Sequence, residues 1–396
     1  MKKEETIIRE GRAYGAYWLM IGLMGLIGLM GCSKDETSAG GSNGQRVAST
    51  EVEVASFVTG FDEANGANRA NRAWAIPEGY VAYEDGVQPI GIAFTQNGQE
   101  PKIGSFFKSS DKWRTDLEDI GEGTYQLYGY IPHQTAINYS ITGYDGAANG
   151  SYSTGAIMTL QNVSTVMPHD LCVVIGAKHG YDKEHDGDNT DPRTNRLRKG
   201  DFSFTAKQGT DGKDYVFLLF DHLYAALRIR MKVHADYTAL RTIKLKSLQL
   251  NTQAGETKTT KKTTITIKLK ANDGSASPIE ELNFTPTGEE IDGGLEFWSS
   301  TYGEQLTTTF KPFIGHFMPS GITKLILTST YDVYDTKGNL IRQNCKATNT
   351  MVLQDLLTDQ LETARGKRYT INMTIRPTYL YMLSEPDLDN PTVVVN

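Results

Sequence analysis

The C-terminal residues 369–396 limit the possible folds strongly, because they carry strand-forming blocks where a chain end is ordinarily polar. Tyr369–Ile375 alternates apolar with polar residues, which predicts a half-buried strand. Pro377 should end that strand, because proline cannot donate to a β-ladder. Beyond it, 379–383 (YLYML) and 392–396 (TVVVN) flank a proline-bounded link. Two interpretations are open: a final edge strand of the chain's own domain, or a strand lent to a neighbouring molecule by β-strand addition.

The rest of the chain favours an all-β globular protein. Its 396 residues include 39 glycines and 20 tyrosines, and 39% are hydrophobic, which suits a β protein better than a disordered or coiled one. Short apolar runs such as Pro89–Phe94 and Gly123–Ile131 are separated by turn clusters such as Gln96–Gln99. This spacing predicts a β-sandwich. The net charge of −7 gives no electrostatic reason to expect nucleic-acid binding.

Strand patterns continue through the second half of the chain. Leu227–Val233 alternates apolar with basic residues, the pattern of a strand with one wet face. The length suits two or three domains, and we place a boundary near residue 213. The predicted parts are an N-terminal β-sandwich domain (47–213), a C-terminal β-sandwich domain (214–375) and a C-terminal donor-strand extension (376–396). Met351–Thr363 is the best helix candidate.

The N-terminus has the features of a lipoprotein precursor. After a charged start, the apolar run Tyr17–Met30 is short and glycine-rich, which suits a signal peptide better than a membrane span. The run leads into Cys32 through a sequence (LMGC) that resembles a bacterial lipobox. We therefore expect removal of the signal peptide 1–31, lipidation of Cys32 and a flexible tether at 32–46. The residues SKDE after Cys32 resemble an export signal of surface lipoproteins, so we expect the outer membrane and the cell surface.

A strand and a cleavable loop follow the tether. Residues 47–61 predict the first strand of the N-terminal domain. The loop 62–72 (DEANGANRANR) has no large apolar residue, a composition that makes a good protease substrate. We predict cleavage at Arg72 or Arg69, and either cut would detach the first strand from everything after it.

The sequence offers no catalytic set and no cofactor motif. It lacks a Gly-x-Ser-x-Gly elbow, a phosphate-binding glycine loop and a CxxC pair. Cys172 and Cys345 leave two alternatives open, one disulfide or two unpaired, packed thiols. His222 lies between two apolar blocks, which indicates a core or turn histidine rather than a general base. We therefore predict no enzymatic activity, no cofactor and no metal.

Two weaker patterns indicate ligands. Asp186, Asp188 and Asp191 lie in an acidic loop that could meet a calcium ion, but the loop lacks the glycine and closing glutamate of an EF-hand. A solvated surface loop is the default interpretation. Three tryptophans could line a sugar-binding face, although β-sandwich cores use the same residues. These are Trp74, Trp113 and Trp298.

The stretch Phe220–Arg230 (FDHLYAALRIR) resembles the fimbrillin family, the FimA/Mfa-like type V pilins. The lipobox, Gly366–Met373 (GKRYTINM) and the tail Leu383–Pro391 agree with that resemblance. It implies a pair of transthyretin-like β-sandwiches, exported as a lipidated precursor. It also implies that an arginine-specific protease removes the first strand, and that the C-terminal strand of another subunit fills the vacated groove.

The expected function is therefore that of a structural subunit of a surface fimbria, polymerised by donor-strand exchange and with a role in adhesion. The expected partners are other pilin subunits, the outer membrane through the lipid anchor, an arginine-specific protease and a host glycan or protein. The alternative is a monomeric surface lipoprotein that binds glycans through a β-sandwich face. The expected donor-strand residues are Tyr379, Leu380, Tyr381, Met382, Leu383, Val393, Val394 and Val395.

Overall fold

The fold is all-β, as predicted. The computed structural model describes residues 51–59, 61, 80–83, 88–117, 120–182, 185–186, 197–206, 214–353, 363–376 and 394–395. The strands of the first half are β1 (Glu51–Thr59), β2 (Tyr80–Ala82), β3 (Ile90–Thr95), β4 (Lys102–Ser109), β5 (Lys112–Thr115), β6 (Gly123–Ile131), β7 (Asn138–Gly143), β8 (Gly155–Ser164), β9 (Val166–Met167), β10 (Cys172–Asp182), β11 (His185–Asp186) and β12 (Ser203–Ala206).

The described part of the second half continues in the same way and also contains the short helix α1 (Ala235–Thr238). Its strands are β13 (Asp214–His222), β14 (Ala225–Val233), β15 (Thr242–Ala254), β16 (Thr257–Lys258), β17 (Lys262–Lys270), β18 (Ile279–Thr287), β19 (Leu295–Gln305), β20 (Lys311–Phe317), β21 (Lys324–Tyr334), β22 (Leu340–Val352), β23 (Arg368–Ile375) and β24 (Val394–Val395). No helix in the described part of the chain is both long and apolar enough to cross a membrane.

The first sheet closes into a ring. Its neighbours run β10, β13, β1, β5, β4, β3, β6, and β6 pairs in turn with β10. β1 runs parallel to β13 over seven positions, from Val52 opposite Asp214 to Val58 opposite Phe220. On its other side β1 is antiparallel to β5 at its start and to β2 at its end. The first strand is thus an interior member of the ring.

The described residues form three further sheets. One has the order β24-β23-β14-β20-β9. Another has the order β16-β15-β21-β22, with β19 paired to β15. The last has the order β18-β17-β8-β7. In β14, Leu227, Ile229 and Met231 are fully buried while Arg228 and Arg230 are half-buried, as the alternation predicts.

Strand pairing crosses the boundary that we predicted near residue 213. β13 lies in the same sheet as β1 and β10, so the change of sheet falls after His222, between β13 and β14. β8 of the first half also pairs with β17 of the second. The helix candidate Met351–Thr363 begins in strand, because Met351 and Val352 end β22, but Leu353 is helical, and 354–362 lie outside the described residues.

The final strand differs from its prediction in burial. β23 covers Arg368–Ile375, within one residue of the predicted strand, and pairs in parallel with β14 over eight positions. Its polar residues Thr370, Asn372 and Thr374 are buried together with its apolar ones. The half-buried prediction is therefore wrong. Thr370 accepts a hydrogen bond from Nε of Arg228 (3.1 Å), so the polar face of the strand packs against protein.

Candidate functional site

The candidate site is the groove that β1 occupies, because this strand contacts two cores at once. Val52 and Val58 are 7% exposed and belong to the apolar cluster of β3, β4 and β6 side chains. Phe57, 6% exposed, belongs to a second cluster with residues of β8 and β17. Without β1, both apolar surfaces would face water.

One side chain of β1, that of Ser56, is buried with its hydrogen-bonding capacity unsatisfied by the described residues. The hydroxyl oxygen of Ser56 is buried, and no hydrogen-bond partner reaches it among the described residues. The neighbouring Phe57 is well packed, and the backbone carbonyl of Ser56 accepts a hydrogen bond from the N–H of Tyr83 at 2.9 Å. A buried polar atom without a partner costs about 1–3 kcal/mol, so position 56 weakens the hold of β1.

His222, the last residue of β13, binds the end of β1. Its Nδ1 atom lies 2.6 Å from Oδ2 of Asp170, and its Nε2 atom lies 2.5 Å from the carbonyl oxygen of Thr59. The ring is buried. A protonated imidazole carries an N–H on each nitrogen and donates to both partners, whereas a neutral one carries a single N–H.

The charges of this pair stabilise each other. Burial lowers the pKa of His222, but the hydrogen bond with Asp170 and the charge of that carboxylate outweigh it and leave the pKa raised. Burial raises the pKa of Asp170, but the hydrogen bond and charge of His222 outweigh it and leave the pKa lowered. Opposite charges in contact favour the ionised forms of both groups. Because both ring nitrogens of His222 also face acceptors, the geometry favours an imidazolium–carboxylate pair.

A second pair of charges lies beside the first. Oγ1 of Thr59 donates to Oδ1 of Asp221 at 3.3 Å. Nη1 of Arg365, which precedes β23, donates to Oδ2 of Asp221 at 2.8 Å and to the carbonyl of His222 at 3.0 Å. The end of β1 is therefore connected to the segment that opens the last long strand.

Phe61 covers this cluster two residues after the end of β1. Its ring stacks on His222 with 3.9 Å between centroids, and the ring of His316 lies 6.1 Å away. The guanidinium carbon of Arg368 lies 4.9 Å from the centroid of Phe61. The aromatic side chain is thus enclosed by residues of β13, β20 and β23.

Cys172 completes a Cys–His–Asp set that is unsuited to catalysis or to metal binding. Its Sγ lies 3.6 Å from Nδ1 of His222, the nitrogen that Asp170 already binds. The thiol is fully buried, and burial, with the charge of Asp170, raises its pKa well above the ordinary value. Nucleophiles and metal ligands are thiolates, and this sulfur stays protonated. Although the three side chains could touch one ion, both ring nitrogens of His222 are already engaged, Nδ1 with Asp170 and Nε2 with Thr59 of β1.

Most of the site residues predicted from the sequence lie outside the described residues. These are Cys32, Arg69, Arg72, Tyr379, Leu380, Tyr381, Met382, Leu383 and Val393. Val394 and Val395 form β24, which pairs with Asn372 and Ile371 of the same chain. No disulfide joins Cys172 and Cys345, which decides between the two cysteine alternatives.

The predicted ligand surfaces receive no support from the described tryptophans. Trp113 is buried beneath Lys108, whose Nζ lies 5.3 Å from the ring centroid. Trp298 packs on Phe313 with 4.7 Å between centroids. Both therefore lie in or against a core. Trp74, Asp188 and Asp191 are outside the described residues, and only the backbone of Asp186, in β11, is described.

Asp170, Asp221, Phe61 and Arg365 were not predicted from the sequence as members of this site. His222 was predicted only as a core or turn histidine, which its burial confirms, and Cys172 only as a paired or packed thiol. One signal was available: Asp170 immediately precedes the apolar run Leu171–Ala177, and a carboxylate next to a buried strand needs a partner because burying an unpaired charge is costly.

Comparison with known proteins finds likeness in structure but not in sequence. No protein-family model matches this chain, and no curated protein sequence matches it. A crystal structure of a candidate cell adhesion protein from Bacteroides uniformis matches with 14% identity and a TM-score of 0.33, over 78% of this chain and 90% of that one. The C-terminally truncated tip fimbrial protein Mfa3 from Porphyromonas gingivalis matches with 8% identity and a TM-score of 0.27, over 87% and 98%. A fimbrial protein from Bacteroides ovatus matches with 8% identity and a TM-score of 0.26, over 83% and 50%.

Proposed function

We propose that this protein is a structural subunit of a cell-surface fimbria, assembled by replacing β1 with a strand from a neighbouring subunit. The observation that carries the proposal is the position of β1 inside the closed ring, between β13 on one side and β5 and β2 on the other. A peripheral strand could be lost at little cost. Loss of this strand creates a groove with two open edges and an apolar floor.

The physical chemistry of the groove favours refilling it. Seven register positions of β13 lose their partners when β1 leaves. Each buried backbone group left without a hydrogen bond costs about 1–3 kcal/mol. The apolar surfaces beneath Val52, Phe57 and Val58 add a hydrophobic driving force. An extended segment of another molecule satisfies the same edges by β-strand addition.

The C-terminal tail is the proposed donor. Its described part, β24, pairs with β23 over only two positions, Ile371 with Val395 and Asn372 with Val394. So short a pairing contributes little and can be given up for a longer one. The proposed donor residues are Tyr379–Leu383 and Val393–Val395, which are apolar and strand-forming.

The remaining parts of the proposal concern export and location. Lipidation at Cys32 attaches the precursor to the outer membrane, and an arginine-specific protease cuts at Arg72 or Arg69, which separates β1 from the rest of the chain so that another strand can replace it. The assembled fimbria then contributes to adhesion through a host glycan or protein. The lipobox-like sequence and the loop composition support these steps.

Assembly can be tested with purified mature protein and a trypsin-like protease. After cleavage, the full-length chain should form SDS-resistant ladders on unheated gels, and the uncleaved chain should remain monomeric. A matched chain truncated after Pro377 should remain monomeric when cleaved, because it keeps the groove but lacks the donor. Ladders from the truncated chain alone would overturn the proposal, since another surface would then make the joint.

A further inference from the structure

We propose that His222, Asp170 and Phe61 form a lock that holds β1 in its groove by its C-terminal end, so that cutting the following loop does not by itself release the strand. The lock is a feature of the uncut chain. Its role after cleavage rests on the proposed strand exchange.

The first part of the lock extends the ladder. The register of β1 on β13 ends with Val58 opposite Phe220. The next carbonyl of β1, that of Thr59, accepts a hydrogen bond from the side chain of His222. The backbone N–H of His222 donates to Oδ1 of Asp221 at 2.9 Å, within β13. The His222 side chain, held in place by Asp170, thus binds the end of β1. A hydrogen bond from a charged imidazole is stronger than a neutral backbone hydrogen bond of the ladder.

The second part of the lock lies beyond the strand. Phe61 stacks on the face of His222 and is closed in by His316 and Arg368. A planar cation between a carboxylate and an aromatic ring gains from both contacts. Because Phe61 precedes the loop 62–72 in the sequence, a cut at Arg69 or Arg72 leaves it attached to β1. The cut strand therefore keeps every contact of the lock.

The lock depends on the proton of His222. The ionisable groups around the ring are Asp170 and Cys172 near Nδ1, Asp221 in the same strand, His316 across Phe61, and Arg365 and Arg368 from the end of the chain. The pKa of His316 is lowered by burial, so this second ring stays neutral. Neutral His222 has one N–H for two acceptors. Either Thr59 or Asp170 then loses its hydrogen bond, and the hold on β1 weakens.

Hydrogen exchange of the uncut, full-length protein tests the lock without requiring assembly. Mass spectrometry should follow the peptides that cover β1 and β23, with rates converted to protection factors. In the wild type, protection of β1 should fall as the pH rises above the ordinary histidine pKa of about 6.5 and through the raised pKa of folded His222. At about pH 6, Phe61→Ala and His222→Gln should each lower protection of β1 by about tenfold or more, the effect of losing one charge-assisted contact. In His222→Gln the fall with pH should disappear.

The matched control is Tyr302→Ala, which removes an aromatic ring that is 91% exposed and should leave β1 unchanged. Equal protection of β1 in Phe61→Ala and wild type would overturn the lock, as would a pH dependence that persists in His222→Gln. If His222→Gln fails to fold, Phe61→Ala and the wild-type pH series still decide the question. These readings come from the uncut chain, so a protein that does not polymerise leaves the test of the lock intact.

Discussion

Nε2 of His222 and the carbonyl oxygen of Thr59 lie 2.5 Å apart although 163 positions separate the two residues in the sequence. The contact joins the end of β1 to the end of β13, at the place where the chain passes from the first sheet into the second. It ties the retention of the first strand to a buried charge pair, and several expected outcomes follow from it and from the groove.

Asp170→Asn should destabilise the protein by up to about 3–5 kcal/mol, because His222 loses its counter-charge and must either stay charged in a buried site or give up its proton together with one hydrogen bond. Urea unfolding of the variant and wild type measures the difference. A matched control, Asp292→Asn, removes one partner of an exposed ion pair with Lys258 and should behave like wild type. Equal stability of Asp170→Asn and wild type would contradict the charge pair.

The stability of the wild type should depend on pH in a defined direction. The folded pKa of His222 is raised, so its contribution is complete below the unfolded pKa of about 6.5 and is lost as pH rises through the folded pKa. The folded pKa of Asp170 is lowered, so its contribution is complete above the unfolded pKa of about 3.9 and is lost as pH falls through the folded pKa. Urea midpoints measured across this range should fall on the alkaline side, and that fall should shrink in His222→Gln.

Ser56→Ala should stabilise the uncut protein by about 1–3 kcal/mol, because it removes a buried hydroxyl that has no hydrogen-bond partner among the described residues. The same change should slow ladder formation after cleavage, since the resident strand is held more tightly. Ser299→Ala, at an exposed position of β19, is the control and should change stability by less than about 0.5 kcal/mol. A destabilised Ser56→Ala protein would show that the hydroxyl is satisfied.

Removal of β23 should unfold the protein, whereas removal of the tail beyond Pro377 should not. β23 pairs with β14 over eight positions and buries Tyr369, Ile371, Met373 and Ile375. Each such side chain contributes roughly 1.5–3 kcal/mol when fully buried, against a typical total of about 5–15 kcal/mol. Circular dichroism of the two truncated chains checks this. A chain ending at Pro377 that fails to fold would mean that the tail is part of the fold.

Cys32→Ala should block lipidation and leave the unprocessed precursor, because the lipobox-like sequence positions that cysteine as the acceptor. Labelling cells with a fatty-acid analogue measures the effect, with Cys345→Ala as the control that should label normally. Normal labelling of Cys32→Ala would remove the basis for the lipid anchor.

The sequence predicted the strands better than the site. The alternation of Tyr369–Ile375 placed β23 within one residue, because a period of two and a following proline are both local signals. The burial of Thr370 was not predictable, since it depends on Arg228, which pairing brings alongside. The partners of His222 were equally unpredictable from the sequence. Asp170 and Thr59 reach it only through the registers of β10 and β1 on β13, which no local pattern specifies.

The closed ring of the first sheet also determines when the chain can expose unpaired strand edges to another molecule. Unpaired strand edges are what make β proteins aggregate, and the seven strands of the ring pair around a full circuit. The interior edges of β13 and β5 are therefore concealed from the time the chain folds. Under the proposed function, only an irreversible peptide-bond cut, followed by departure of β1, uncovers them. Under that proposal, a separate protease sets the time of polymerisation. Until it cuts, β1 fills the groove and no binding site for another strand is exposed.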